Sequence, residues 1–160
     1  MREKLIKLLE ENARLTDGEL AVMLGTTPEA VVEEIGKLES EGVVRGYKAL
    51  VDWSEIDESR VTALIELRVS PKRDAGFDEI AKKIMIIPEV ETVFLMSGGY
   101  DLCVIVKGRS FQEVALFVAK RLSTLDSVLS TATHFVLRRY KELGVEMFGR
   151  DGDDRGRISL

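Results

Sequence analysis

The chain has 160 residues, 45% of them apolar, and a formal net charge of −5, which bounds it to one or two small domains. No apolar run is long enough to span a bilayer, and Met1-Arg2-Glu3-Lys4 opens an amphipathic pattern rather than a signal-peptide core. Cys103 is the single cysteine, so an intrachain disulfide is excluded, and the whole fits a reducing cytoplasm with no membrane partner.

The elements follow in chain order. Leu5, Leu8, Leu9 and Asn12 have helical spacing, which predicts a helix over 2–12. Thr16 with Glu19 three residues on is a capping-box pattern, and it predicts a second helix over about 17–24 that buries Leu20, Ala21 and Leu24 and ends at Gly25. Thr26 or Thr27 caps a third helix with Pro28 in its first turn. Val31, Ile35 and Leu38 form its apolar stripe, Val32 lies at the margin, and Gly42 closes it. Two helices joined by a short Gly-containing turn are a helix-turn-helix pattern. Residues 43–52 read as a short strand or wing, and the polar 53–59 as a linker.

The second half changes period. Val61, Ala63, Ile65, Leu67 and Val69 alternate, as in a strand. Phe77, Ile80, Ala81 and Ile84 give a helix that stops before Pro88. Val90 to Met96 and Leu102 to Val106 are strands around the turn Ser97-Gly98-Gly99-Tyr100-Asp101. Phe111, Val114, Ala115, Val118 and Leu122 give another helix, and Val128 to Leu137 a last strand. The order β-α-β-β-α-β is that of a ferredoxin-like unit, with both helices on one face of an antiparallel sheet. The other face reads as apolar enough to need a partner, which predicts a dimer through the sheets.

The fold class is therefore α+β: an N-terminal winged helix-turn-helix plus a C-terminal ferredoxin-like βαββαβ sandwich. The expected boundaries are 1–52, a linker 53–59, a domain 60–142 and a flexible tail 143–160.

The helix-turn-helix, the wing Gly42-Val43-Val44-Arg45-Gly46-Tyr47 and the turn Ser97-Gly98-Gly99-Tyr100-Asp101 together resemble the Lrp/AsnC, or feast/famine, family over roughly residues 1–142. The resemblance implies a DNA-binding transcriptional regulator that forms dimers and assembles further, often to octamers. It also implies a small effector, mostly an amino acid, bound in the C-terminal domain near subunit interfaces. It implies no cofactor.

For double-stranded DNA, the start of the third helix presents Thr27, Pro28, Glu29 and Ala30, with Glu33, Glu34 and Lys37 on its exposed side. Thr27 and the first amides of the helix can bond phosphate. Lys37, Arg45 and Lys48 are the best phosphate partners, with Tyr47 as a helper. The charge balance runs the other way, because residues 1–52 carry 7 Lys/Arg against 11 Asp/Glu. Glu34 stands before Ile35, where the family typically has a basic residue, and carboxylates beside phosphates are repelled. A second reading follows from that acidity: an effector sensor with weak or lost DNA binding that acts through protein partners.

For the effector, Gly98 and Gly99 let a ligand carboxylate approach bare backbone amides, or they simply make a hairpin turn. Asp101 accepts from an α-ammonium group or fixes the loop. Tyr100 offers a flat face and a hydroxyl, and Ser97 completes the turn. Thr131 and Thr133 match the family's threonine pair and can donate to a carboxylate; otherwise they are ordinary β-branched strand residues. One histidine (His134), one cysteine and no clustered carboxylates do not make a transition-metal site. No nucleophile elbow or Walker loop is present. Some haem-biosynthesis decarboxylases share this two-domain architecture, but a lone strand histidine is a poor catalytic set, so no enzyme is expected.

Overall fold

The computed structural model describes residues 1–70 and 76–147. It divides into two compact units, Met1–Leu50 and Val51–Leu160.

The first unit holds α1 (Arg2–Glu11), α2 (Asp17–Leu24) and α3 (Pro28–Ser40). The helix starts are set by local chemistry. Thr16 caps α2 through a reciprocal box with Glu19: the hydroxyl oxygen accepts from the Glu19 amide, and the Glu19 carboxylate accepts from the Thr16 amide. The carboxylate is thereby held below its usual range. Thr27 caps α3 by accepting from the Ala30 amide, which settles the choice between the two threonines, and Pro28 takes the first helical position. Gly42 ends α3 at φ +69°. Its amide donates to Glu39 O, and the next amide, of Val43, donates to Leu38 O. Leu5, Leu20, Ala21, Val31 and Leu38 form the buried centre, with Leu9, Ile35 and Val44 packed around it.

Residues 43–52, expected as a short strand or wing, form no strand: 43 and 44 lie in a bend and 45–52 have no regular structure. A strand needs a hydrogen-bonded neighbour, and the described elements of this unit are all helices. The Val43 and Val44 amides both turn back to Leu38 O. The residues expected to link the domains, 53–59, begin with a 3₁₀ turn at Trp53–Glu55 and are tightened by Asp52 and Asp57, each of which accepts from a backbone amide two residues on. The Arg60 guanidinium lies 3.8 Å over the Trp53 ring.

The second unit is a four-stranded antiparallel sheet ordered β2-β3-β1-β4, built from β1 (Val61–Val69), β2 (Val90–Leu95), β3 (Leu102–Gly108) and β4 (Val128–Phe135). With α4 (Asp78–Met85) and α5 (Phe111–Phe117) this is the ferredoxin-like order. The pairing of Ile65 with Val104 and of Leu67 with Leu102 fixes the register and places the buried sides of β1 and β3 under the helices. Ala63, Ile65, Leu67, Val104 and Val106 meet Ile80 and Ile84 of α4 and Val114, Phe117 and Leu122.

The opposite sheet face carries Leu64, Phe94, Ile105 and Ala132 among Thr62, Glu66 and His134. It is more mixed than expected. Glu66 and His134 lie 3.3 Å apart across it, and Phe94 is 53% exposed.

Two expectations are corrected here. The helix expected over 111–122 is α-helical only to Phe117; Val118–Leu122 widens into a π turn, closed by the Ser123 amide donating to Val118 O. The flexible tail expected from residue 143 begins instead inside a hairpin, β5 (Lys141–Glu142) and β6 (Val145–Glu146). Leu143 (φ +47°) and Gly144 (φ +84°) supply the paired positive φ of a two-residue turn. The remainder of that tail, 148–160, lies outside the described residues.

Gly108 ends β3 against the first turn of α5, and a Cβ there would meet Val114 Cγ2 at 2.7 Å. Gly108→Ala is expected to cost the unit about 1–3 kcal/mol through overpacking. Urea unfolding, with an unchanged m value, checks this.

Candidate functional site

Two surfaces carry the residues singled out above. On the first unit, α3 begins with Thr27, Pro28 and Glu29, all exposed. The Glu29 carboxylate folds back onto the helix start, where its own amide and then the Thr27 hydroxyl hold it below its usual range. Glu33 and Lys37 face outward on one stripe and pair at 2.7 Å. That hydrogen bond, and then the charge attraction, holds Glu33 low and Lys37 high. The Arg45 guanidinium lies over Gly42, within 3.2 Å of where a Cβ would stand. The Tyr47 hydroxyl donates to Glu39 at 3.0 Å, and burial followed by this bond raises its pKa. Lys48 is exposed.

The acidity of α3 is less open to solvent than the sequence implies. Glu34 does not project from the helix. Its side chain is 14% exposed and its carboxylate lies 3.6 Å from Arg2, which also pairs with Glu41. Arg2 thus covers two of the carboxylates that α3 and its end present. No sequence signal points to this role, because the partners are 32 and 39 residues away.

On the second unit, the turn 97–101 joins β2 to β3. Ser97, Gly98 and Gly99 are exposed, and Gly98 has φ +145°. A Cβ at either glycine would meet nothing within 4 Å, so the backbone lies open above the turn. Asp101 ties that backbone down. Its amide donates to Leu67 O at 2.9 Å, its carbonyl accepts from the Met96 amide at 2.8 Å, and its carboxylate Oδ2 accepts from the Val69 amide at 2.8 Å. Of the two roles open to Asp101, fixing the loop is visible in these bonds.

Tyr100 is half-buried, and its hydroxyl bonds with Cys103. Burial, then the neighbouring Cys103 and Glu66, push its pKa above the ordinary value, so the phenol stays protonated at neutral pH. Burial likewise raises Cys103, which keeps it a thiol.

Thr131 pairs with Leu67, and Thr133 with Ile65, from the other side of β1. Both threonines are half-buried on the helix side of the edge strand β4. Asp101 and Thr131 therefore flank the same β1 residue, two strand spacings or about 10 Å apart. Thr133 lies two residues further along. His134 points to the opposite face. A separate groove of about 220 Å³ lies at the far end of β3, floored by Val106, Val114 and Phe117. It was not signalled by any motif.

Among the described residues no group of three or more His, Cys, Asp or Glu is placed to hold a metal ion, and no helix is long and apolar enough to cross a membrane.

Comparison with known proteins finds a family match on each unit. Residues 1–45 match the family model for a winged helix-turn-helix DNA-binding domain, and residues 62–145 match that of the Lrp/AsnC ligand binding domain. The chain is 47% identical over 156 residues to the HTH-type transcriptional regulator YugG of Bacillus subtilis, covering 97% of this chain and 93% of that protein. It is 27% identical to the proline dehydrogenase transcriptional activator of Rhodobacter capsulatus, over 82% of this chain and 84% of that one. Among solved structures, the transcriptional regulator NMB0573 of Neisseria meningitidis, in complex with L-Met, superposes with a TM-score of 0.73 at 26% identity, over 88% of this chain and 90% of that one. The AsnC of E. coli shares the fold, with a TM-score of 0.69 at 23% identity over 88% and 93% of the two chains.

A DNA-reading helix-turn-helix followed by an effector-binding ferredoxin-like domain defines a transcriptional regulator rather than an enzyme. The chain belongs to the Lrp/AsnC family.

Proposed function

We propose that this regulator is a homodimer, assembling further to an octamer, whose C-terminal domain binds an amino acid and thereby alters its grip on double-stranded DNA. The observation that carries the effector reading is the open Gly98-Gly99 backbone held rigid by Asp101. Bare amides suit a ligand carboxylate, and the Asp101 carboxylate suits its ammonium group. Ser97, Tyr100, Thr131 and Thr133 complete the set. The L-Met complex of the Neisseria regulator and the proline-linked activator of Rhodobacter support an amino acid as the ligand class.

The dimer forms through the sheet face that carries Phe94, Leu64 and Ile105, which the helices leave uncovered. On DNA, Thr27, Pro28 and Glu29 meet the groove at the start of α3. Lys37, Arg45 and Lys48 meet phosphates, Tyr47 steadies the segment after α3, and Glu33 holds Lys37 until phosphate replaces it. The ligand acts as a switch only through different affinities for two states of the assembly. The sheltered Glu34 favours DNA binding over the protein-partner reading, since the carboxylate most at odds with the family pattern lies against Arg2 instead of projecting from α3.

The test is a thermal-shift panel of the amino acids on the intact protein, read beside oligomer size. A true effector at about 100 times its dissociation constant should stabilise by about 2.7 kcal/mol. A flat response across the whole panel would remove the effector reading.

A further inference from the structure

The outward side of α3 has an uncharged strip that the function above leaves without a role. Pro28, Val32 and Gly36 follow one another at i, i+4 spacing, and all three are exposed. The isopropyl group of Val32, at the middle of the strip, is 53% exposed. A Cβ at Gly36 would meet nothing within 4 Å, so that end of the strip is bare.

The charged neighbours are each occupied within the unit. Glu29 turns back to the helix start, Glu33 pairs with Lys37, and Glu34 is drawn to Arg2. What α3 offers to a groove is thus a low apolar ridge bordered by charges already engaged within the unit. Of the side chains that read guanine or adenine by paired hydrogen bonds it presents no Arg, Asn or Gln, and its one Lys, Lys37, is the residue assigned above to phosphate. A lone exposed valine is ordinary on a protein surface. This one stands at the centre of the helix assigned to the major groove, where the apolar feature of a base pair is the thymine C5 methyl group.

We propose that Val32 is a specificity-determining residue that reads a thymine methyl group in each operator half-site. The bare Gly36 lets the helix sit deep enough for that contact. The inference rests on the reading that α3 enters the major groove, and the experiment separates the two.

Binding sequences are selected by the intact protein from a pool of random duplexes. Each thymine of the recovered half-site is then replaced by uracil, which removes only the methyl group. Replacement in one half-site alone should weaken wild-type binding about fourfold, the effect of burying a single carbon group. Val32→Ala should bind the thymine operator more weakly and be indifferent to that replacement, while its affinity for random duplex stays at the wild-type level. The last measurement shows that the variant is folded. Wild-type affinity unchanged by uracil at every thymine position would overturn the Val32 assignment alone. The same uracil penalty persisting in Val32→Ala would also overturn it. Recovery of no preferred sequence would sink the groove-reading role of α3 and Val32 with it.

Discussion

Raising the salt from 50 to 200 mM should cost this regulator about a thousandfold in affinity for its duplex. On the proposed reading Lys37, Arg45 and Lys48 are the phosphate partners of each reader and a dimer brings two readers, hence about six neutralised phosphates. Each releases counterions, so log affinity should fall against log salt with a slope of about −5. Lys37 begins in its 2.7 Å pair with Glu33, and contact with phosphate requires it to exchange partners. Both charges are well exposed, so water and salt already weaken that pair. If Lys37 stays with Glu33, only about four contacts remain and the slope flattens to about −4. Fluorescence anisotropy on a labelled duplex measures this directly. A slope shallower than about −2 would mean that these three cations do not carry the contact with DNA.

Replacing Asp101 with Ala should destabilise the second unit by about 2 kcal/mol, the usual worth of a hydrogen bond to a charged acceptor. The change strips the Val69 amide of its partner in a half-buried place, and it frees one arm of the turn. The amino-acid thermal shift should vanish with it, because the open amides lose their fixed position and the ammonium group loses its acceptor. Asp101→Asn separates the two effects. An amide oxygen still accepts from Val69, so most of the stability should return, whereas the charge that attracts an ammonium group does not. A full ligand shift in Asp101→Ala would dismiss the turn as the binding place.

The features that could be read from the sequence are those made by neighbours along the chain. Thr16 with Glu19, Thr27 with Pro28, and the glycines that close α2 and α3 each act within one helical turn. The alternation in β1 was likewise enough to place its buried side, whereas β3 is apolar at every position from 102 to 106 and carries no such sign. The contacts that shape the candidate sites are of another kind. Arg2 reaches Glu34 and Asp101 reaches Val69 across 32 residues of chain, and no local pattern encodes either meeting. The valines at 43 and 44 resemble a strand because apolar content does not reveal whether a partner strand exists; Val44 packs into the helical core instead. The π turn at Val118–Leu122 escaped for a related reason, since buried residues at 114, 117, 118 and 122 satisfy either helix. The Leu143-Gly144 turn was masked by a leucine at positive φ, a conformation uncommon outside glycine.

The attachment of the turn to β1 has a consequence for how it moves. β1 is the inner strand bonded to both β3 and β4, so the turn hangs from the spine of the sheet rather than from its margin. The amides of Val69 and Asp101 then exchange hydrogen with solvent as this end of β1 frays, so the root of a loop of two glycines opens with the strand rather than by itself.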